Sequence, residues 1–507
     1  MMLRAEFMLL NLTWAQENIN QTISTIIKIA LLSSTPLYAT TTLAQSISYA
    51  QAEQSVLTDS YSTQATQALQ QASQLEAEAV KGLGLPRVDL NIRAYAFHNE
   101  LDIPLDSFKN NLEQTLSNGV NSQIDQWQNS NPNIGSLADP LREGVNQTIQ
   151  EGVGLIPDES TVNLDDQVIR PTISVLMPIY TGGLTSSAKE VASINAQRNQ
   201  LNTQQQQDIQ RFELIQAYFN AQLQKQLLES SRFNFNAMQT HYNNALKLER
   251  QGFISKGQRM QFEVAKNDAQ RIYQNAEANL RSSLFQLNNL LQSSQITELS
   301  TPLFVNSFQN QSLNSLLKTY QDQSSLIRKM QMDTQLANAN VKAQSAVKKP
   351  TLFAFGEYSL DEKQNWIVGV VARYNLFSGI DKNKNIQAAE LQRYASQLLT
   401  ERSKQEIENI IYKSYSEVTT AQQSHQLLQQ NMKAAQENLR IQTLSFKEEM
   451  GTATQVVDAQ NALTALKSEM ALNAYKYVMS LATLLQSHGS INQFQSYITQ
   501  AQTSYIR

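Results

Sequence analysis

The chain has 507 residues, a net charge of −4, 16 Gly, 10 Pro and no Cys. The missing cysteine excludes thiol catalysis, disulfides, thiolate metal sites and an acylated-cysteine lipid anchor, and the charge balance leaves no basic face for nucleic acid. Average usage would supply roughly 35 Gly and 25 Pro, so turn-makers are scarce, elements are long, and the two to four compact domains that length alone suggests are not expected.

Taken in order, Ile26 to Tyr38 is an apolar run interrupted by Lys28. It is too short for a spanning helix and suits the core of a signal peptide. Thr42-Leu43-Ala44 offers small residues for cleavage, so residues 1–44 are read as a signal peptide and Gln45 as the mature start. Ser46 to Val80 is helical in pattern until Gly82, Gly84 and Pro86 stop it. A strand is predicted over 87–98. Val88, Leu90, Ile92, Ala94 and Ala96 share one face, with Arg87, Asp89, Asn91 and Arg93 on the other. The polar stretch 99–167 reads as a loop insertion with some helix, marked by Leu112, Leu116, Val120 and Ile124. A second strand, 169–180, sets Ile169, Ile173, Val175, Met177 and Ile179 against Arg170, Thr172 and Ser174.

The turn Pro178-Ile179-Tyr180-Thr181-Gly182-Gly183 leads into a helical hairpin over 184–293. Its first arm, Leu184 to Arg250, has no Gly and no Pro over 67 residues, which is roughly 100 Å of helix. Ile209, Phe212, Ile215, Phe219, Leu223 and Leu227 form a narrow seam on it, of coiled-coil type. Gly252-Phe253-Ile254-Ser255 breaks the hairpin. The helical pattern lapses around Thr301-Pro302, and the segment 294–311 completes a first unit, 45–311.

The order then repeats over 312–507: a helix, strands 350–358 and 366–377, a helical hairpin 381–487 broken at Gly451-Thr452, and a C-terminal segment. Pro350 matches Pro86, Phe377-Ser378-Gly379 matches Tyr180-Thr181-Gly182, and Gly451 matches Gly252, the signature of an internal repeat. Trp366, Val368, Val370, Ala372, Tyr374 and Leu376 share a face, opposite Arg373 and Asn375.

Four strands of bilayer-crossing length cannot close, and lipid does not tolerate an open sheet edge. The fold class expected is therefore α plus membrane β-barrel. A long α-helical barrel is continued by a trimeric β-barrel with four strands from each chain and twelve in all. Two other readings stay open. One is a soluble four-stranded sheet packed on helices. The other is a periplasmic or surface coiled-coil adaptor or adhesin without a pore.

Enzymatic chemistry finds no support. His98, His241, His425 and His488 lack ligand spacing, and Asp165-Asp166 and Glu448-Glu449 are adjacent rather than convergent. No phosphate loop, HExxH or GxSxG occurs, so no catalytic, metal or cofactor-binding residue is expected. Tyr95, Phe97, Trp366 and Tyr374 are candidates for membrane-interface aromatics.

Several short motifs, in the same order twice, resemble the TolC-type outer-membrane efflux and secretion family. They are Pro178 to Gly183, Trp366-Ile367-Val368-Gly369-Val370, Leu376 to Gly379, Gly252 to Ser255, and Gly451-Thr452-Ala453-Thr454 with Val456 to Gln460. Pro178, Gly182, Gly183 and Gly379 fall at the family's strand-to-helix turns. The resemblance covers most of 45–489. It implies a homotrimer in outer-membrane lipid of a Gram-negative bacterium, with a large periplasmic part and with 294–311 as its equatorial segment. The hairpin tips, with Arg250, Gly252, Ile254, Ser255, Gly451 and Thr452, would meet a periplasmic adaptor bound to an inner-membrane pump or ABC transporter. Asp458, near a tip, is the candidate for a lumenal carboxylate ring that holds cations, with a helix-dipole role as the alternative. Two departures stand out: the 99–167 stretch is longer than its counterpart 359–365, and the interval from Gly451 to Asp458 is about two residues short of the family pattern.

Overall fold

A computed structural model describes residues 45–96, 103–104, 106–130, 135–156, 159–160, 167–293, 296–307, 311–361, 364–377, 379–448 and 450–506. The expected signal peptide, Phe97, His98, Asp165, Asp166, Ser378 and Glu449 lie outside the described residues.

After a short strand β1 (Gln45–Ile47) come α1 (Tyr49–Asp59) and α2 (Tyr61–Ala79). The sequence pattern reads as one helix here, but Ser60 divides it. Its ψ of 134° is extended, and its hydroxyl accepts from the Ser62 N–H to cap α2, a cap that serine provides as well as any residue. Strand β2 (Arg87–Ala96) follows, then β3 (Ile103–Pro104), α3 (Asp106–Ser130), α4 (Gly135–Gly154), β4 (Glu159–Ser160) and β5 (Gln167–Tyr180). The stretch expected as loop is thus mostly two helices, of 25 and 20 residues. Leu112, Leu116, Val120 and Ile124 lie four apart and stripe one side of α3, which is why tertiary packing can hold so polar a helix.

The long arms are α5 (Leu184–Arg250) with α6 (Lys256–Leu290), and α9 (Lys382–Lys447) with α10 (Ala453–His488). Between them lie β6 (Ile296–Leu299), β7 (Leu303–Asn306), α7 (Leu313–Gln323), α8 (Ser325–Ala346), β8 (Thr351–Ser359) and β9 (Trp366–Arg373). The single helix expected ahead of strand 350–358 is broken at Ser324, whose ψ is 115°. Strand β9 stops at Arg373, four residues before its expected end. The chain closes with α11 (Phe494–Ile498) and β10 (Thr503–Ile506), which pairs antiparallel with β7.

The largest core sits at the equator, where the arms cross this β6–β7–β10 region. Tyr49, Tyr218, Phe219, Phe304 and Phe494 are fully buried there, with ring centroids 5.3 to 6.0 Å apart and most pairs edge-on. Edge-on packing sets positive ring edges against negative faces. The expected seam enters this core: Ile215, Phe219 and Leu223 are buried, and Ile209, Phe212 and Leu227 are half-buried. Buried carbonyls need donors, and glutamines supply them. Gln222 donates to the carbonyls of Leu299 (3.1 Å) and Thr301 (2.6 Å), and Gln422 donates to that of Asn306 (2.8 Å).

Candidate functional site: the sheet and the hairpin tips

The four longer strands form one antiparallel sheet in the order β2-β5-β8-β9. Leu90 registers with Ile173, Ile173 with Tyr358, and Tyr358 with Trp366. Since successive residues alternate faces, the register gathers Val88, Leu90, Ile92, Val175, Ala354, Val368 and Val370 on one side. That side is apolar and open: Leu90, Trp366 and Val368 are 65%, 71% and 72% exposed. The opposite side is covered and carries the charges. Arg93 and Glu357 pair at 3.4 Å with side chains 10% and 8% exposed, and Arg170 pairs with Asp361 at 2.8 Å. A water-soluble sheet hides its apolar face and wets its polar one; this sheet does the reverse.

Trp366 opens β9 and Tyr374 lies just past its last residue, Arg373; both are well exposed. Tyr95 lies in β2 opposite Val168. Sequence reasoning missed Tyr358 and Tyr180, which flank the same two ends: Tyr358 registers with Trp366, and Tyr180 is half-exposed beside the turn into α5. The alternation of β8, Ala354-Gly356-Tyr358, could have shown the first. It also missed Glu357 and Asp361 as partners of the two arginines.

At the turn from β5 to α5, Pro178 registers with Phe353, and Thr181 accepts from the Thr185 N–H at 3.2 Å. Gly182 has φ +68°, and a Cβ there would lie 2.7 Å from the Ala346 carbonyl oxygen, so only glycine fits. Gly183 is the N-cap of α5, and Gly379 sits in open space just before α9.

The two tips are built alike. Arg250 ends α5, and Gly252 turns the chain with φ +77° into open space. Ser255 caps α6 by a capping box in which its hydroxyl accepts from the Gln258 N–H while the Gln258 side chain accepts from the Ser255 N–H. Thr452 and Gln455 repeat the box at the start of α10. The sequence signal, Ser or Thr followed three residues on by Gln, is present at both tips. Gly451 differs from Gly252: its φ is not positive, and a Cβ would crowd the Phe446 N at 3.1 Å. A small apolar core joins the tips, with Ile254 packed on Ala245, Phe262, Ala453 and Val456, and with Phe262 edge-on to Phe446 at 5.4 Å.

Asp458 is the sixth residue of α10, exposed and, among the described residues, without an ion pair. Dipole stabilisation falls off within the first helical turn, which Asp458 has already passed. Among the described residues the histidines do not converge. His425 contacts Ser504 (3.1 Å) and Gln429 (2.9 Å), and His488 contacts Thr319 (2.9 Å) and Ser490 (3.0 Å). Burial holds both rings below the usual imidazole range, and burial together with Lys447 does the same to His241. Among the described residues, no group of acidic or histidine side chains could hold a metal ion, and no helix is long and apolar enough to cross a membrane.

Long helical hairpins joined to short strands are the fold of solved outer-membrane channels. The structure of CusC matches with TM-score 0.68 at 13% identity, covering 90% of this chain and 95% of that one. VceC of Vibrio cholerae matches at 0.65 and 12%, over 87% and 96%. The open state of MtrE of Neisseria gonorrhoeae matches at 0.66 and 13%, over 87% and 89%. Residues 316–490 match the family model described as outer membrane efflux protein, and the sequence motifs point to the same TolC-type family. Its members are channels and not enzymes, seated in the outer membrane with a periplasmic helical part. No curated protein sequence matches the chain.

Proposed function

We propose that the chain is one protomer of a homotrimeric exit duct, serving a tripartite efflux or one-step secretion system across periplasm and outer membrane. The observation that carries this is the inverted sheet. Its apolar face is open along four strands, and among the described residues its outer strands β2 and β9 each have one unpaired edge. In lipid those edges need partners, and β9 of one copy against β2 of the next supplies them. Three copies of four strands make twelve, an even number in the range of such barrels. The helices support the same assembly: Leu391, Tyr394 and Leu398, at spacings of 3 and 4 on α9, are exposed in the single chain. Trp366 and Tyr374, with Tyr358 and Tyr180, would form the aromatic belts. The division into a first unit 45–311 and a second 312–507 is part of this reading.

The tips around Arg250, Gly252, Ile254, Ser255, Gly451 and Thr452 would meet a periplasmic adaptor, and Asp458 would contribute one carboxylate to a three-fold ring. The test is mass and conductance of the detergent-purified protein. A trimer with stable channels is expected, blocked by multivalent cations from the tip side. Asp458→Ala should relieve that block while leaving the trimer intact. A monodisperse, water-soluble monomer would end the duct reading, and unchanged block would remove Asp458 from it. Full pump activity with Trp at Gly252 would remove that tip from adaptor contact.

A further inference from the structure

The α3–α4 hairpin lies on the polar face of the sheet, the face that would line the duct. It is seated along its length. Leu112, Val145, Ile149 and Val153 pack with Leu176 and Phe353 of the sheet. Gly152 is so close that a Cβ would come within 3.0 Å of Val371 Cγ2 and 3.3 Å of Phe355 Cε1. Near the α5 turn, the Arg373 guanidinium donates to the carbonyls of Glu143 (3.1 Å) and Gly144 (3.3 Å). Toward the opposite end, the Phe108 ring lies under Arg93 and Arg170, 5.5 and 5.9 Å from their guanidinium carbons.

A closed barrel has no room for this. Twelve strands about 4.8 Å apart, tilted by about 40°, close at a radius of about 12 Å and enclose about 450 Å². Six helices of about 10 Å diameter, two from each copy, have a combined cross-section of about 470 Å², before any side chain of the wall is counted. From this mismatch we infer that the seated hairpin and the closed trimeric barrel exclude one another. The hairpin covers the lumenal face of the protomer before assembly and leaves that face as the barrel closes. Both of its tethers join the sheet at one end, where Ala96 pairs with Gln167, so it departs through that mouth. The inference rests on the trimeric reading above.

The chain has no cysteine, so an introduced pair is unambiguous. In Gly152→Cys/Val371→Cys, the valine methyl that would crowd residue 152 is gone. The full chain carrying this pair is oxidised as unassembled protomer, then allowed to assemble in detergent and sized by light scattering. Disulfide formation in the protomer with loss of trimer, reversed by reductant, is expected. Phe355→Cys gives a second readout without a cross-link: at least a tenfold faster reaction with a membrane-impermeant maleimide in the trimer than in the protomer. A trimer that keeps all three disulfides, a protomer pair that never oxidises, or equal labelling of Phe355→Cys in both forms would each overturn the inference. Failure of the unmodified chain to form a trimer would instead sink the duct reading beneath it.

Discussion

The equator and the sheet obey opposite rules of burial within one chain. At the equator, Tyr49, Phe219, Phe304 and Phe494 are turned inward and lose all contact with solvent. In the sheet, Leu90, Val368 and Val370 point outward, and Arg93 and Glu357 are the covered residues. Apolar surface moves to wherever water is absent, so the pair of regions marks two different solvents. The equator is organised for water outside, and the sheet for hydrocarbon outside.

The contrast can be broken most forcibly at the equator. Phe219→Ala removes a ring that packs edge-on or tilted against Tyr49, Tyr218, Phe304 and Phe494. A loss of about 3–5 kcal/mol is expected for a buried Phe truncated in a tight core, read by chemical denaturation in detergent and in lipid alike. Val370→Arg should cost about 2–4 kcal/mol when the sheet is in a bilayer, the range for arginine at the midplane of a barrel's lipid face. In a water-soluble state the same change should cost almost nothing. Equal stability of the variant and the parent in liposomes would mean that the open face does not meet lipid.

The smallest expected effect sharpens the equatorial side. His425 and His488 are buried with their pKa lowered, so the unfolded chain takes up protons first on acidification. Stability from these groups is present above the ordinary imidazole value, near 6.5, and falls as pH drops from there through the lowered folded values. The slope is at most about 1.4 kcal/mol per pH unit for each ring. His488→Gln should flatten its share in a melting series from pH 7.5 to 5; an unaltered slope would show that the ring does not report on folding.

Much of this was legible from residues alone. Alternation placed Val88, Leu90 and Ile92 opposite Asp89, Asn91 and Arg93, and strand pairing preserved that division. The absence of Gly and Pro announced the arms. The insertion was harder to read, since a stripe at spacing four in a polar stretch gains its helical stability from the sheet beneath it and not from its own propensity. Ser60 and Ser324 end helices that contain no strong breaker, because either serine can be helical or capping and tertiary packing decides. The carboxylate partners of Arg93 and Arg170 lie 264 and 191 residues away, a separation that no local pattern encodes. At the tips, placement of Gly252 and Gly451 as turns was readable, whereas their different backbone demands were not.

The matched caps at Ser255 and Thr452 carry one more consequence. A helix that begins in the open leaves amide protons wanting acceptors. Here each start furnishes its own, from a hydroxyl and a carboxamide three positions apart. Neither hairpin borrows from its neighbour to finish itself. Among the described residues, the two ends are joined by the apolar contact around Phe262 and Phe446 and by a 3.5 Å side-chain hydrogen bond from Thr454 to Gln261, so they can part company as finished pieces, losing a greasy seam, one side-chain bond and no backbone bond.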